Sequence, residues 1–304
     1  MKITSGEKKS FIREVLQYKA QYAMVFPSAL LVVLFGIYPI IYVLCYSFTE
    51  YDGFNPANFI GLANYIRVFH DGSFWQTVLN TLQLGLGIPA IQLPLALLLA
   101  VLLNKKFKGR DAARAVIFVP NITSSAIMAI IFYFMFASYN GIVNGLLQKT
   151  GLILLPVEWF GSGLMAKIVI IIFCTWSGVG FYMVLFLAAL QRIPTEVYES
   201  AKIDGANSRQ TFFRITIPMM GKMFQIITAL SILNALKLFD SVKALTNGGP
   251  GNSTEVITMY IFRYFFEMVG SAQQGYASAA SIVATLLVCL VTVVYLFLTR
   301  KFDD

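Results

Sequence analysis

The side chains that could do chemistry in this chain gather in one stretch, Tyr198 to Met220, which reads YESAKIDGANSRQTFFRITIPMM. It sets Glu199 and Asp204 around an Asp-Gly step, follows them with Arg209 and Arg214, and closes on Pro218. Charges at that spacing favour contact with another surface over bond-making. Elsewhere there is a single histidine, His70, and three cysteines, Cys45, Cys174 and Cys289, all inside apolar stretches. Neither a disulfide framework nor a Cys/His metal site is indicated, and no His, Cys or carboxylate cluster offers a catalytic constellation. We therefore assign no catalytic residue, metal ligand or bound cofactor. The chain also lacks G-x-x-x-x-G-K-[ST], the loop that would cradle nucleotide phosphates.

The stretch has local structure legible in its residues. Pro194 suits the first turn of a helix, Glu196 lies near the positive end of its dipole, and Val197 and Ala201, one turn apart, give it a small apolar face. Gly205 breaks that helix, since it allows positive φ and leaves no Cβ in the way of a close partner. Asn207 or Ser208 can cap a second short helix in which Phe212 and Phe213 present bulky apolar surface before Pro218 ends it. Two roles fit this helix, turn and helix. It is a knob for docking another protein, or a loop on lipid headgroups, with both phenylalanines dipping in and both arginines pairing with phosphates.

What must position this island is a membrane protein. Of 304 residues, 58% are hydrophobic and 12% charged, with a mean hydropathy of +0.72, whereas soluble domains carry about 25% charged residues. Crossing roughly 30 Å of hydrocarbon takes about 20 apolar residues. Six stretches qualify, near 22–48, 76–103, 113–137, 166–190, 221–243 and 277–299. The first is too long for the apolar part of a signal peptide and has no small-residue cleavage pattern after it, so it reads as an uncleaved span. Inserting residues 191–222 as a seventh span would bury eight charges at up to about 3 kcal/mol each, on the order of 20 kcal/mol. The island stays outside the bilayer.

Most of the 23 basic residues lie in the amino-terminal tail, in the loop holding Lys105, Lys106, Lys108, Arg110 and Arg114, around the island, and at Arg300 and Lys301. The opposite side keeps Arg67, Lys149, Lys167, Lys237, Lys243 and Arg263. The positive-inside rule then puts both termini and the island in the cytoplasm. Tracts such as KKFKGR read as topology signals, and no nucleic-acid partner is expected. Within the spans Asn80, Gln83, Gln92, Asn121, Thr123, Ser124, Ser125, Thr175, Trp176, Ser177, Tyr182, Ser231 and Asn234 would be costly facing lipid. They suit helix-helix contacts or a wet pathway. Lys237 and Asp240 are three apart and could pair.

The island also resembles the EAA motif of the permease subunits of bacterial ATP-binding-cassette importers, E-A-A, three residues, G, nine residues, I, one residue, L-P. Glu199, Ala201, Gly205, Ile215 and Pro218 fall in register, with Ser200 for the second-position Ala and Ile217 for Leu. YESAKIDGA followed by FFRITIP is similar to the carbohydrate-uptake group, as are IGLANYIRVFHDGSFWQTVLNTL, LTNGGPGNSTEV and QGYASAASI. The likeness covers roughly residues 20 to 301. The first loop departs from it, being too short for the large external insert of the maltose importer's subunit.

This resemblance implies an all-α membrane protein of six transmembrane helices with the MetI-like type I permease fold and both termini cytoplasmic, in a bacterial plasma or inner membrane. Residues 1–21 would be a cytoplasmic tail, 22–300 the permease with its core at 76–300 and its coupling loop at 191–220, and 301–304 a second tail. It implies a second, similar permease, a pair of ATPase chains that hold the ATP and magnesium, and an extracytoplasmic sugar-binding protein. By resemblance Glu199, Ser200, Ala201, Asp204, Gly205, Ala206, Arg209, Phe212, Phe213 and Pro218 would couple to the ATPase, with Ala201, Gly205 and Ala206 allowing close approach. The sugar-contacting positions would fall at Cys174, Ser177, Gly178, Phe181, Ser231 and Ala235. Tyr182 and Asn234 could bind hydroxyls nearby, while Trp176 stacks on a pyranose face. The glycine-rich TNGGPGNST fits either an outer loop that meets the binding protein or a turn at the membrane surface.

Alternatives within the superfamily carry glycerol phosphate, phosphate or an amino acid. Mid-span bases would favour anions, and the spans show none there apart from Lys237, which lies near the outer end of the fifth. A secondary transporter would need a mid-membrane acid, and Asp240 lies too near the outer end.

Overall fold

The computed structural model describes residues 18–268 and 273–300. The tails at 1–17 and 301–304 lie outside them. Helix α1, Lys19–Tyr46, carries one wide turn at Val33–Ile37. A two-residue hairpin follows, with β1 (Thr49–Glu50) antiparallel to β2 (Asn58–Phe59). Buried Asn64 fastens it, donating to the carbonyls of Ser47 and Thr49 at 3.1 and 2.8 Å. Then come α2 (Ala63–His70) and the long α3 (Gly72–Asn104). Asp71 caps α3 by accepting from the amides of Ser73 and Phe74 at 2.8 and 3.3 Å, satisfying donors that a helix start leaves orphaned.

The third apolar stretch departs from its expectation. It forms two helices, α4 (Arg110–Ile122) and α5 (Ser125–Met135), bent by 96°. Thr123 is extended and Ser124 leaves the helical region between them, where a single helix at 113–137 is expected. Each limb has its own partner. Gly180 lets α4 lie against α7 (Gly163–Leu190), where a Cβ would strike the Ile117 carbonyl and come within 2.8 Å of Phe118 Cα. α5 packs beside α11 (Asp240–Leu245), and α6 (Ile142–Lys149) lies against α5.

The fifth stretch is also shorter than its expected 221–243. α8 (Thr195–Ile203) and α9 (Ser208–Met219) lead into α10 (Gly221–Leu236), with a bend of 73° between α9 and α10. After Lys237 the chain turns into α11, which buries Val242 and Leu245 in the core. Seating those two side chains wins over continuing the helix. α12 (Ile257–Phe262) unwinds into a wide turn at Arg263–Glu267 before α13 (Gln274–Thr299).

Four helices, α1, α3, α7 and α13, are each long and apolar enough to cross a membrane, and six segments qualify if each bent pair counts as one. α3 and α7 form the centre, with α10 against both, α4 on α7, and α13 along α10 and α12. α1 stands apart, touching α13 and leaving its most apolar window wholly unburied.

Candidate functional site

Two features draw the sequence-derived residues together. The first is a knob made of α8, the turn at Gly205 and α9. Pro194 sits at the cap position just before α8, with Glu196 in the first turn. Gly205 has φ of 78°, and a Cβ there would meet nothing within 4 Å. Its role is therefore conformational on this chain's side, and the space beside it is open to a partner. The turn closes with the Ala206 amide on the Ala201 carbonyl at 2.9 Å. Asn207 and Gln210 then form a reciprocal capping box, each side chain bonded to the other's backbone amide at 2.9 Å. Tyr198 Oη lies 3.3 Å from Thr216 Oγ1 and ties one limb to the other.

The knob is seated from below. Val197, Tyr198 and Phe212 pack against a buried cluster that includes Leu103 of α3, Phe186 and Leu190 of α7, Met220 at the bend between α9 and α10, and Ile227 of α10. Ala201 is buried too, so its small size serves the knob's own seat rather than an outside surface. Glu199, Ser200, Asp204, Gly205 and Arg209 are exposed around the tip, and Ala206 is half-buried. The two phenylalanines part company: Phe212 turns inward and Phe213 remains 61% exposed. Pro218 does not end the second helix, which runs on through a wide turn at Phe212–Thr216 to Met219, because Pro218 falls in the first turn of a new helical segment, where its missing N–H costs nothing. Ile203 escapes the sequence reading. It is 86% exposed at the tip between Lys202 and Asp204, and its signal is an aliphatic residue set among charges.

The second feature is a polar stitch through the membrane core. Buried Gln92 of α3 donates Nε2 to the Cys174 carbonyl of α7 at 2.8 Å and accepts from Ser231 Oγ of α10 at 3.2 Å. Gly178 is the clearance that lets the Gln92 amide reach α7. Nearby Asn234 Nδ2 donates to Tyr182 Oη at 3.1 Å. The nine expected pathway residues thus divide. Cys174, Tyr182, Ser231 and Ala235 are buried inside the chain and hold the helices in register. Ser177, Gly178 and Phe181 are half-buried, while Trp176 and Asn234 face outward. Trp176 packs on Phe132 with centroids 5.2 Å apart, and Phe181 meets Tyr182 edge-on at 5.2 Å. An outward face bearing an indole, a phenyl ring, a hydroxyl and an amide suits a shared polar pathway better than lipid.

The end opposite the knob is clamped by charge. Asp71 accepts from the hydroxyls of both Tyr260 and Tyr276, joining α3 to α12 and α13. Burial pushes its carboxyl up, but those hydroxyls and the Ser73 and Phe74 amides outweigh it and leave it below the ordinary range. Glu255 goes the other way, raised by burial, with Arg263 Nη2 3.2 Å from its Oε2. Lys243 pairs with Glu267 at 2.6 Å. Asn80 ties the glycine-rich turn down by donating to the carbonyls of Asn252 and Glu255. The expected Lys237–Asp240 pair does not occur among the described residues, because α10 ends at Leu236 and Asp240 already begins α11.

Residues 92–304 match the family model described as the binding-protein-dependent transport system inner membrane component. The chain is 35% identical over 278 residues to the lactose transport system permease protein LacF of Rhizobium radiobacter, covering 90% of this chain and 92% of that one. It is 33% identical over 283 residues to the trehalose/maltose transport system permease protein MalF of Thermococcus litoralis, covering 93% and 94%. Its fold matches a chain of a bacterial ABC transporter that imports the acidic polysaccharide alginate, with a TM-score of 0.84 at 24% identity over 97% of this chain and 100% of that one. A chain of the MetNI methionine ABC transporter matches with a TM-score of 0.52 at 15% identity, covering 76% and 94%.

Proposed function

Because the chain belongs to the family of binding-protein-dependent transport system inner membrane components, we propose that it forms half of the pathway of an ATP-driven sugar or oligosaccharide importer and takes up work through the knob at 195–219. It is a multi-pass membrane transport subunit and not an enzyme. On this reading hydrolysis, ATP and magnesium belong to a pair of cytoplasmic ATPase chains. A second, similar permease completes the pathway, and an extracytoplasmic binding protein delivers the solute. The knob and both termini face the cytoplasm, a placement supported by the basic residues at the knob's end, among them Arg110, Arg114, Arg192, Arg209, Lys222 and Arg300.

One observation carries the coupling. The knob presents a charged tip with an open glycine while its base rests on the ends of α7 and α10. Those same helices carry Trp176, Ser177, Phe181 and Asn234 higher up. A push at Gly205 is therefore delivered to the two helices whose outward faces would line the pathway. The limbs move as one body because Tyr198 and Thr216, together with the capping box, brace them. Sugar as the cargo is supported by the lactose and trehalose/maltose permeases among the relatives.

Gly205→Trp tests this in the importer co-expressed with its partners. The tryptophan projects into space that is empty in this chain, so membrane insertion stays normal while ATPase co-purification and sugar uptake are lost. Normal uptake by this variant would falsify the assignment.

A further inference from the structure

A groove on the far side of α10 from the stitch takes no part in that function. It lies between α10, α12 and α13, encloses about 570 Å³, and is walled by Leu233, Leu236, Ile261, Val288 and Val293. A smaller hollow of about 180 Å³ continues it, sharing Leu236, Ile257, Ala284 and Val288. Four hydroxyls line the groove, and none offers its proton to a ligand. Ser281, Thr285 and Thr292 donate to the carbonyls of Ala277, Ser281 and Val288 at 2.8 Å, and Thr258 donates to the Leu238 carbonyl. With its polar groups spent on backbone, the groove suits hydrocarbon rather than sugar or water.

At the end away from the knob the groove meets Lys237, exposed just past the last turn of α10 and without an ion pair among the described residues. A cation at the edge of the bilayer attracts a lipid phosphate. Length identifies the rest of the occupant. From Ser281 to Val293 the groove runs roughly 18 Å along α13, about the depth of one leaflet of a ~30 Å hydrocarbon core. A transmembrane helix from a partner would need about twice that length and a bed some 10 Å wide.

We propose that this groove holds one acyl chain of an anionic phospholipid whose headgroup phosphate is bound by Lys237. The site does not depend on the identity of the cargo or on the knob. Native mass spectrometry of the assembled importer, loaded with phosphatidylglycerol and then washed with detergent, tests it. Wild type retains the lipid. Lys237→Gln lowers retention about fivefold, the effect of one lysine near a membrane surface, and Lys237→Arg keeps it. Cys289 is exposed and lines the groove, so Cys289→Trp fills the chain's bed and also lowers retention, with the charge left in place. Equal retention by wild type and Lys237→Gln overturns the proposal. So does a photocrosslinker at Thr285 that captures a helix of the second permease in place of lipid.

Discussion

At Gly205 the backbone requirement and the functional one can be separated. Its φ of 78° costs a side-chain-bearing residue roughly 1–2 kcal/mol, with asparagine the mildest exception. Nothing of this chain fills the space where a Cβ would project. Gly205→Asn should therefore keep a substantial fraction of sugar uptake, and Gly205→Val should lose most of it, read as initial transport rates at equal membrane levels. Equal rates for the two variants would remove the conformational part of the account. Gln92 poses the complementary case of a buried amide serving two spans. Gln92→Leu leaves the buried Ser231 hydroxyl without its partner, at about 1–3 kcal/mol, and takes one donor from the Cys174 carbonyl, which keeps the Ser177 hydroxyl. A clear fall in the melting temperature of the purified complex is expected. The residue types at Gly205, Asn207 and Glu196 made their roles legible in the sequence, because each acts on the backbone within a turn of itself. Ile203 and the parting of Phe212 from Phe213 were not legible, since they depend on which side of a short helix meets the core.

Among the elements, the unbroken helices follow from hydropathy and the broken ones do not. The expected spans at 76–103, 166–190 and 277–299 lie inside α3, α7 and α13. The breaks at Thr123-Ser124 and after Lys237 are set by distant partners, Gly180 for α4 and the pocket that receives Val242 for α11. No window of local residues contains that information. The clamp on α3 is of the same kind. Asp71 before Gly72-Ser73 reads as a helix cap, but nothing local announces that Tyr260 and Tyr276 will meet it. Its net depressed pKa sets a pH dependence. The carboxylate stabilises the fold above the ordinary carboxylate range of ~4, and that contribution is lost as pH falls through the lower folded-state value. The melting-temperature advantage of wild type over Asp71→Asn should hold near neutrality and shrink only under acid. An advantage that grew on acidification would contradict the clamp.

Over the whole molecule, apolar clusters and polar ties divide the work. The knob end rests on the cluster beneath α8 and α9, the opposite end is drawn together by Asp71, Glu255, Lys243 and their partners, and Gln92 stitches the middle. Between them stands a face on which Trp176 and Asn234 are exposed and Ser177 and Phe181 are half-buried, which this chain alone does not fully cover. The number of apolar segments and the place of the island were readable from composition and charge. The division of the expected pathway residues into a stitching set and an outward set was not, because both sets are similar in type and differ only in the direction each faces. If the knob receives work from an ATPase, its tip is where the two chains meet. A photocrosslinker at Ile203 in the assembled importer should yield an adduct of this chain with the ATPase chain, and one at Ile142 on α6 should not. Failure of Ile203 to reach the ATPase, with its label found on lipid instead, would mean that the knob rests on the membrane and does not couple to an ATPase.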